Sequence, residues 1–298
     1  MKVRLDDGQI MRVTRVGRGR PCVMLPGFAM KSWHWATSVL PLTTRHEFIL
    51  PDFRGFGRSR RARFTQADIL TQLAQDVLRL VETFDQPVAF AGISMGAGVA
   101  MRYHELYGFD GVERYMHIDQ APCMVNKPDW EWGLFGAQHA QMMQRFETLH
   151  ALAKPLHERG ATYAELPAHV RAMFWEMASM FFQAAISEPY QKHTARVLMS
   201  LEPFRRFMLP MSNWRAYFDC MSAYAHQGYD MRASVQRIDI PVTLAVGMKS
   251  HMYPAQGQLW MSQHIPQAKV VRFERSGHTI PLTEPIAFTR ALGAFLDE

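Results

Sequence analysis

Ser94 lies in Gly92-Ile93-Ser94-Met95-Gly96, behind the apolar run Val88–Ala91 and ahead of a stretch of small residues. A serine held on a sharp strand-to-helix turn needs neighbours without side chains, so that the backbone closes up while Oγ projects above a sheet edge. That arrangement makes Ser94 a candidate nucleophile. An unassisted hydroxyl reacts poorly at neutral pH and needs a general base, an acid that orients the base, and donors for the developing oxyanion. His278 is the candidate base: it follows Gly277 in the loop after the apolar run Val270–Phe273, which would set its imidazole at the sheet edge where Ser94 emerges.

Positioning these groups requires a sheet, and the sequence contains eight strand candidates: Lys2–Leu5, Ile10–Val16, Cys22–Leu25, Glu47–Leu50, Val88–Ala91, Tyr115–Ile118, Val242–Val246 and Val270–Phe273. From Asp68 to Phe84, Ile69, Leu73, Val77, Leu80, Val81 and Phe84 share one helical face, with Asp68 as the opening cap. Further helices are expected after Ser94 and over Pro285–Leu296. This rhythm of strand and helix predicts an α/β fold, a mostly parallel sheet flanked by helices. The middle of the chain reads differently. Residues 123–230 carry few strand signals but many Trp, Phe and Met residues, and Pro155, Pro167, Pro189, Pro203 and Pro210 are expected to divide them into short helices. Residues 1–122 and 231–298 would then form the core and 123–230 a helical insertion. The 21 methionines bring flexible thioethers suited to an adaptable apolar pocket.

The 298 residues are 48% hydrophobic, enough for a sizeable core, and no apolar run approaches membrane-spanning length. No secretion signal opens the chain, so a soluble cytoplasmic protein with no membrane partner is expected. The formal charge of +6 has its densest run at Arg58, Arg60, Arg61 and Arg63. No aromatic platform accompanies it, so it reads as a solvated loop and not as a nucleic-acid site. Cys22, Cys123 and Cys220 lack metal or redox spacing, and neither a His-Glu-x-x-His motif nor a phosphate-binding glycine loop occurs; no cofactor and no metal are expected.

Four motifs together resemble the α/β-hydrolase superfamily: Leu25-Pro26-Gly27-Phe28, Asp52-Phe53-Arg54-Gly55-Phe56-Gly57-Arg58-Ser59, Gly92-Ile93-Ser94-Met95-Gly96 and Ser276-Gly277-His278. The resemblance implies an eight-stranded, mostly parallel sheet, a capped, esterase-like serine hydrolase, and a cap formed by the central insertion. It also implies that the backbone N–H groups of Phe28 and Met95 form the oxyanion hole, with Pro26 replacing a histidine often found before that glycine. Asp52 and Arg54 would tie down the loop after the fourth strand.

The acid departs from the family pattern. It commonly follows the seventh strand, where Gly247-Met248-Lys249-Ser250-His251 carries Ser250 in place of aspartate. A serine accepts a hydrogen bond but brings no charge to stabilise an imidazolium. Asp119, at the end of the sixth strand, is the preferred acid, as in certain dehalogenases and lipases that this arrangement resembles. Ser250 is the alternative orienter, with Asp230 and Glu284 behind it. The expected function is cleavage of a carboxylic ester of a small or medium apolar acyl substrate. Thioesters, lactones, amides, carbon–carbon bond hydrolysis and cofactor-independent peroxidase chemistry use the same groups. A non-catalytic ligand-binding protein of this fold is the competing class, supported by Ser250 alone.

Overall fold

The structure, a computed structural model, describes residues 1–186, 193, 197, 198, 200–204 and 209–298. Each of the eight apolar segments forms a strand: β1 Lys2–Arg4, β2 Ile10–Gly17, β3 Arg20–Leu25, β4 His46–Asp52, β5 Val88–Ile93, β6 Val112–Ile118, β7 Val242–Gly247 and β8 Ala268–Phe273. They make one sheet in the order β1-β2-β4-β3-β5-β6-β7-β8. The β1/β2 and β2/β4 pairs are antiparallel, and the others are parallel.

The strand order reverses around β3, which has β4 on one side and β5 on the other. At such a switch point the connections leave to opposite sides and open a crevice at the carboxyl ends of the strands. Leu25 ends β3 and pairs with Gly92 of β5, so the loop carrying Phe28 and the turn carrying Ser94 leave the sheet side by side.

Both faces of the central strands are covered, which accounts for their continuous apolar character. Side chains alternate between the layers, as a strand's period of two requires. Val23 and Leu25 of β3 and Val88 and Phe90 of β5 share a core with Leu73, Val77 and Leu80 of α2 (Ile69–Val81). Cys22, Met24, Ala89 and Ala91 face the opposite layer, which contains Phe288, Leu292 and Phe295. Asp68 caps α2, its carboxylate accepting from Thr71 N at 3.1 Å. A short α1 (Ala36–Val39) precedes α2, and α3 (Met95–Tyr107) follows Ser94 directly.

Between β6 and β7 the described residues form α4 (His139–Glu158), α5 (Ala168–Ala185), α6 (Trp214–His226) and α7 (Arg232–Val235). Phe146 and Leu149 of α4, Val170 and Phe174 of α5, and Trp214 and Phe218 of α6 build a separate core. The strands of chain entering and leaving this segment lie together: Cys123 bridges Asp230, Met124 N donates to Tyr229 O at 2.9 Å, and Met231 N donates to Pro122 O at 2.9 Å. Pro167 caps the start of α5 as expected, but Pro155 does not break α4. It sits in the last turn, where the helix is about to end, so its interruption has little left to disrupt. Pro189 lies outside the described residues.

After β7 come α8 (Ala255–His264), α9 (Ile280–Thr283) and α10 (Pro285–Asp297). The sequence reading did not anticipate α8. Its Gly257 lowers helix propensity, yet tertiary packing needs that glycine, because a methyl there would meet Trp132 Cβ at 2.8 Å.

Candidate active site

Ser94 stands between β5 and α3 with φ 53° and ψ −124°, a region that side chains rarely enter. Such a conformation costs on the order of 1–3 kcal/mol and persists only where its surroundings over-determine it. Here Ser94 N donates to Ile118 O of β6 at 3.0 Å, while Ser94 O accepts from Gly98 N of α3 at 3.0 Å. The flanking glycines are steric necessities. A methyl on Gly92 would lie 2.7 Å from Gly96 O, and one on Gly96 would collide with the Leu25 carbonyl.

The oxyanion donors assigned by resemblance flank this turn. A methyl placed on Gly27 would come 3.4 Å from Ser94 Cβ, so the Gly27–Phe28 loop passes directly beside the serine. Met30 N donates to Gly27 O at 3.1 Å and Gly27 N reaches Met30 Sδ at 3.2 Å, which tightens that loop. Met95 opens α3, where the first N–H groups have no acceptor within the helix and the helix dipole favours negative charge.

At the end of β6, Asp119 also has a positive φ, 45°, and is fully buried. Among the described residues, four donors meet its carboxylate. His278 Nδ1 and Ser250 Oγ each reach Oδ2 at 2.7 Å, Gln258 Nε2 reaches Oδ1 at 2.8 Å, and Gly247 N reaches Oδ1 at 3.1 Å. This number matches the acceptor capacity of an ionised carboxylate. Because Asp119 accepts at Nδ1, Nε2 is the nitrogen left for a proton from a nucleophile.

Asp119 and Ser250 were alternatives for one role in the sequence. In the structure they are hydrogen-bonded to each other, with Asp119 touching the imidazole and Ser250 touching Asp119. Gln258, on α8, was not foreseen. Its only sequence signal is a polar side chain in a segment not recognised as helical.

Glu284 supports the His278 loop: its Oε1 accepts from Ser276 Oγ at 2.8 Å and Arg275 N at 3.1 Å. Lys249 N donates to Ser276 O at 2.9 Å, tying together the loops after β7 and β8. Asp230 is engaged elsewhere, with Lys127 at 2.6 Å and Arg232 at 2.8 Å. Burial alone would raise its pKa, but these hydrogen bonds outweigh burial and hold the carboxyl well below the usual range. Asp52 accepts from Ser32 N at 2.7 Å and Arg58 N at 3.0 Å, while Arg54 grips Asp76 at 2.5 and 2.7 Å. Both residues therefore fasten the loop after β4. Arg58, Arg60, Arg61 and Arg63 are exposed.

His117 lies beneath the Asp119 turn. Its Nδ1 faces Tyr115 Oη at 2.8 Å and its Nε2 faces Gln120 O at 2.7 Å, an arrangement suited to a neutral ring donating from Nε2. Burial pushes its pKa down to about 4, against smaller opposing effects of Gln120 O and Asp119.

Aromatic side chains line the approach from the helical segment. Phe28 packs against Phe181 of α5 at 5.9 Å between ring centroids and against Tyr217 of α6 at 5.7 Å; Phe181 also stacks on Phe146 at 5.6 Å. Thr279 Oγ1, beside His278, donates to Ala185 O at the end of α5 at 3.3 Å. Among the described residues, no helix is long and apolar enough to cross a membrane, and no group of three or more His, Cys, Asp or Glu is arranged to hold a metal ion.

Residues 20–285 match the family model described as alpha/beta hydrolase fold, and the chain belongs to that family. It is an enzyme of the esterase-like hydrolase class. Among its relatives is a pimeloyl-[acyl-carrier protein] methyl ester esterase of Nitrosomonas europaea, 24% identical over 295 residues, covering 95% of this chain and 98% of the relative. The AB hydrolase superfamily protein YisY of Bacillus subtilis is 24% identical over 280 residues, covering 93% of this chain and 91% of its own. An esterase from Exiguobacterium antarcticum superposes with a TM-score of 0.77 at 20% identity, covering 100% of this chain and 99% of its own. A bromoperoxidase from Bacillus anthracis superposes with a TM-score of 0.78 at 20% identity and the same coverage. At these identities the solved structures establish a shared fold.

Proposed function

We propose that the chain is a serine hydrolase that cleaves a carboxylic ester with a small or medium apolar acyl group, using Ser94 as nucleophile, His278 as base and Asp119 as acid. The observation that carries this reading is the 2.7 Å contact between buried Asp119 and His278 Nδ1, at the sheet edge where Ser94 leaves β5 on a strained turn. In the first step Ser94 Oγ bonds to the carbonyl carbon while His278 Nε2 takes its proton. Asp119 stabilises the imidazolium. The Phe28 and Met95 N–H groups stabilise the oxyanion of the tetrahedral intermediate. Collapse breaks the bond to the leaving oxygen, which receives the proton from His278. Water then repeats the sequence on the acyl-serine and releases the acid. The first step needs Ser94 Oγ within hydrogen-bond reach of His278 Nε2, a contact of the kind that often forms only around bound substrate.

Residues 123–230 form the cap in this reading, and 1–122 with 231–298 form the core. The Cys123–Asp230 bridge supports those limits. The apolar preference is supported by Phe28, Phe181 and Tyr217 meeting beside the serine turn. The pimeloyl-[acyl-carrier protein] methyl ester esterase of Nitrosomonas europaea supports an ester substrate. Three free, buried cysteines, Cys22, Cys123 and Cys220, fit a reducing, cytoplasmic location. The non-catalytic reading loses its one support, since a carboxylate, that of Asp119, meets His278 even though position 250 is serine.

A fluorophosphonate probe tests the assignment directly. Labelling of the folded wild type, its loss in Ser94→Ala, and hydrolysis of p-nitrophenyl esters with a preference among acyl chain lengths are the expected results. Absence of labelling in folded wild type would reject the serine-nucleophile reading. Matched thioester and lactone substrates measure the preference for esters.

A further inference from the structure

We propose that Ser250 and Gln258 are positioning residues that jointly hold the Asp119 carboxylate in the orientation that receives His278, an inference resting on the Ser94–His278–Asp119 reading. Asp119 stands on a turn with φ 45°, and its own backbone does not determine where its carboxylate points. Two of its four donors, His278 Nδ1 and Ser250 Oγ, share Oδ2, while Gln258 Nε2 and Gly247 N share Oδ1. Donors on both oxygens fix the plane of the carboxylate as well as its location. Without Ser250 and Gln258, the donors left among the described residues would be the Gly247 N–H and the imidazole itself.

The hydrogen bonds of both residues also fix the direction of donation. Ser250 Oγ accepts from Tyr253 N at 3.3 Å, which leaves its proton for Asp119. Gln258 is fully buried, and its Nε2 faces two acceptors, Asp119 Oδ1 at 2.8 Å and Tyr253 O at 3.0 Å. A reversed amide would set its oxygen against a carboxylate and a carbonyl. Among the described residues no donor meets the buried Gln258 Oε1, a destabilising arrangement beside the acid of the proposed triad. Ser250 at the expected acid position is therefore no vestige. Its hydroxyl, with an amide from α8, supports an acid supplied by a different strand.

The test compares Ser250→Ala, Ser250→Thr, Gln258→Leu and Gln258→Glu in the full chain, measuring kcat and KM on p-nitrophenyl butyrate, kcat/KM against pH, and thermal unfolding. Loss of one hydrogen bond to a charged group should lower kcat about 10–100-fold in Ser250→Ala and Gln258→Leu with KM near wild type, and Ser250→Thr should recover most of it. Gln258→Glu, nearly isosteric, sets a second carboxyl against Asp119. Two carboxylates that close cannot both ionise freely, so its pH profile should gain an ionisation that wild type lacks. Wild-type kcat in folded Ser250→Ala and Gln258→Leu, or a Gln258→Glu profile that superimposes on wild type, would overturn the proposal. If Gln258→Leu fails to fold, Gln258→Glu supplies the deciding measurement. Wild-type turnover in Ser94→Ala or Asp119→Asn would instead reject the underlying triad, so the two failures are separable.

Discussion

The turns after β5 and β6 both place a non-glycine residue at positive φ, 53° at Ser94 and 45° at Asp119, yet they are held in different ways. The Ser94 turn depends on the absence of side chains within the turn, at Gly92 and Gly96, and flows directly into α3. The Asp119 turn depends on side-chain and backbone donors from far along the chain: Gly247, Ser250, Gln258 and His278 are 128, 131, 139 and 159 residues away. A strained serine turn can therefore be specified by a short contiguous motif. A buried carboxylate is positioned by whatever the rest of the fold brings to it.

Asp119→Asn removes the charge at the second turn while leaving the turn in place. An amide holds the imidazole in the wrong tautomer and adds no charge, so kcat on a p-nitrophenyl ester should fall about 10⁴-fold while circular dichroism and unfolding temperature stay near wild type. Gly96→Ala attacks the first turn. The added methyl meets the Leu25 carbonyl, backbone that cannot swing aside, and stability should drop by about 3 kcal/mol in urea unfolding. Equal stability of the two variants would erase the contrast between a turn held by local sterics and one held by distant donors.

A third measurement concerns the support beneath Asp119. Burial lowers His117 to about 4 in the folded chain, from an ordinary value near 6.5. In that window the unfolded chain takes up a proton that the folded chain refuses, so stability falls as pH drops from 6.5 toward 4. The contribution is on the order of 3 kcal/mol, and His117→Gln should show a correspondingly flatter pH dependence of urea unfolding. An unchanged slope would remove His117 from the account of acid sensitivity.

The smallest expected effect is a recovery. Because Ser250 Oγ touches the same Asp119 oxygen that meets His278, adding Ser250→Asp to Asp119→Asn should regain about 10-fold in kcat over the single variant, a gain of roughly 1.4 kcal/mol. No gain would mean that the loop after β7 can support an acid from β6 but cannot supply one.

Much of the fold was legible because local patterns encode it. All eight strands follow from short apolar segments, and α2 follows from its apolar face and the Asp68 cap. Helix α8 was not legible, since Gly257 weakens its local signal and is required by packing against Trp132. Pro155 was misleading for the opposite reason: proline is disruptive within a helix but is tolerated near where one ends. At the site, Ser94 and His278 could be selected from the residues beside them, whereas Gln258 could not. The relation between Asp119 and Ser250 was equally hidden, because two residues that look like rivals along a chain can be partners in space.

The sequence by itself determined the strand-to-helix turn at Ser94, the loop position of His278 and the absence of aspartate at position 250. These depend on residue type and immediate neighbours. Only the tertiary structure decided that Asp119 receives His278 and that Ser250 and Gln258 hold Asp119. The physical reason is the sheet order β6-β7-β8, which sets the carboxyl ends of distant segments side by side, so that the buried carboxylate after β6 meets donors from the segments that follow β7 and β8.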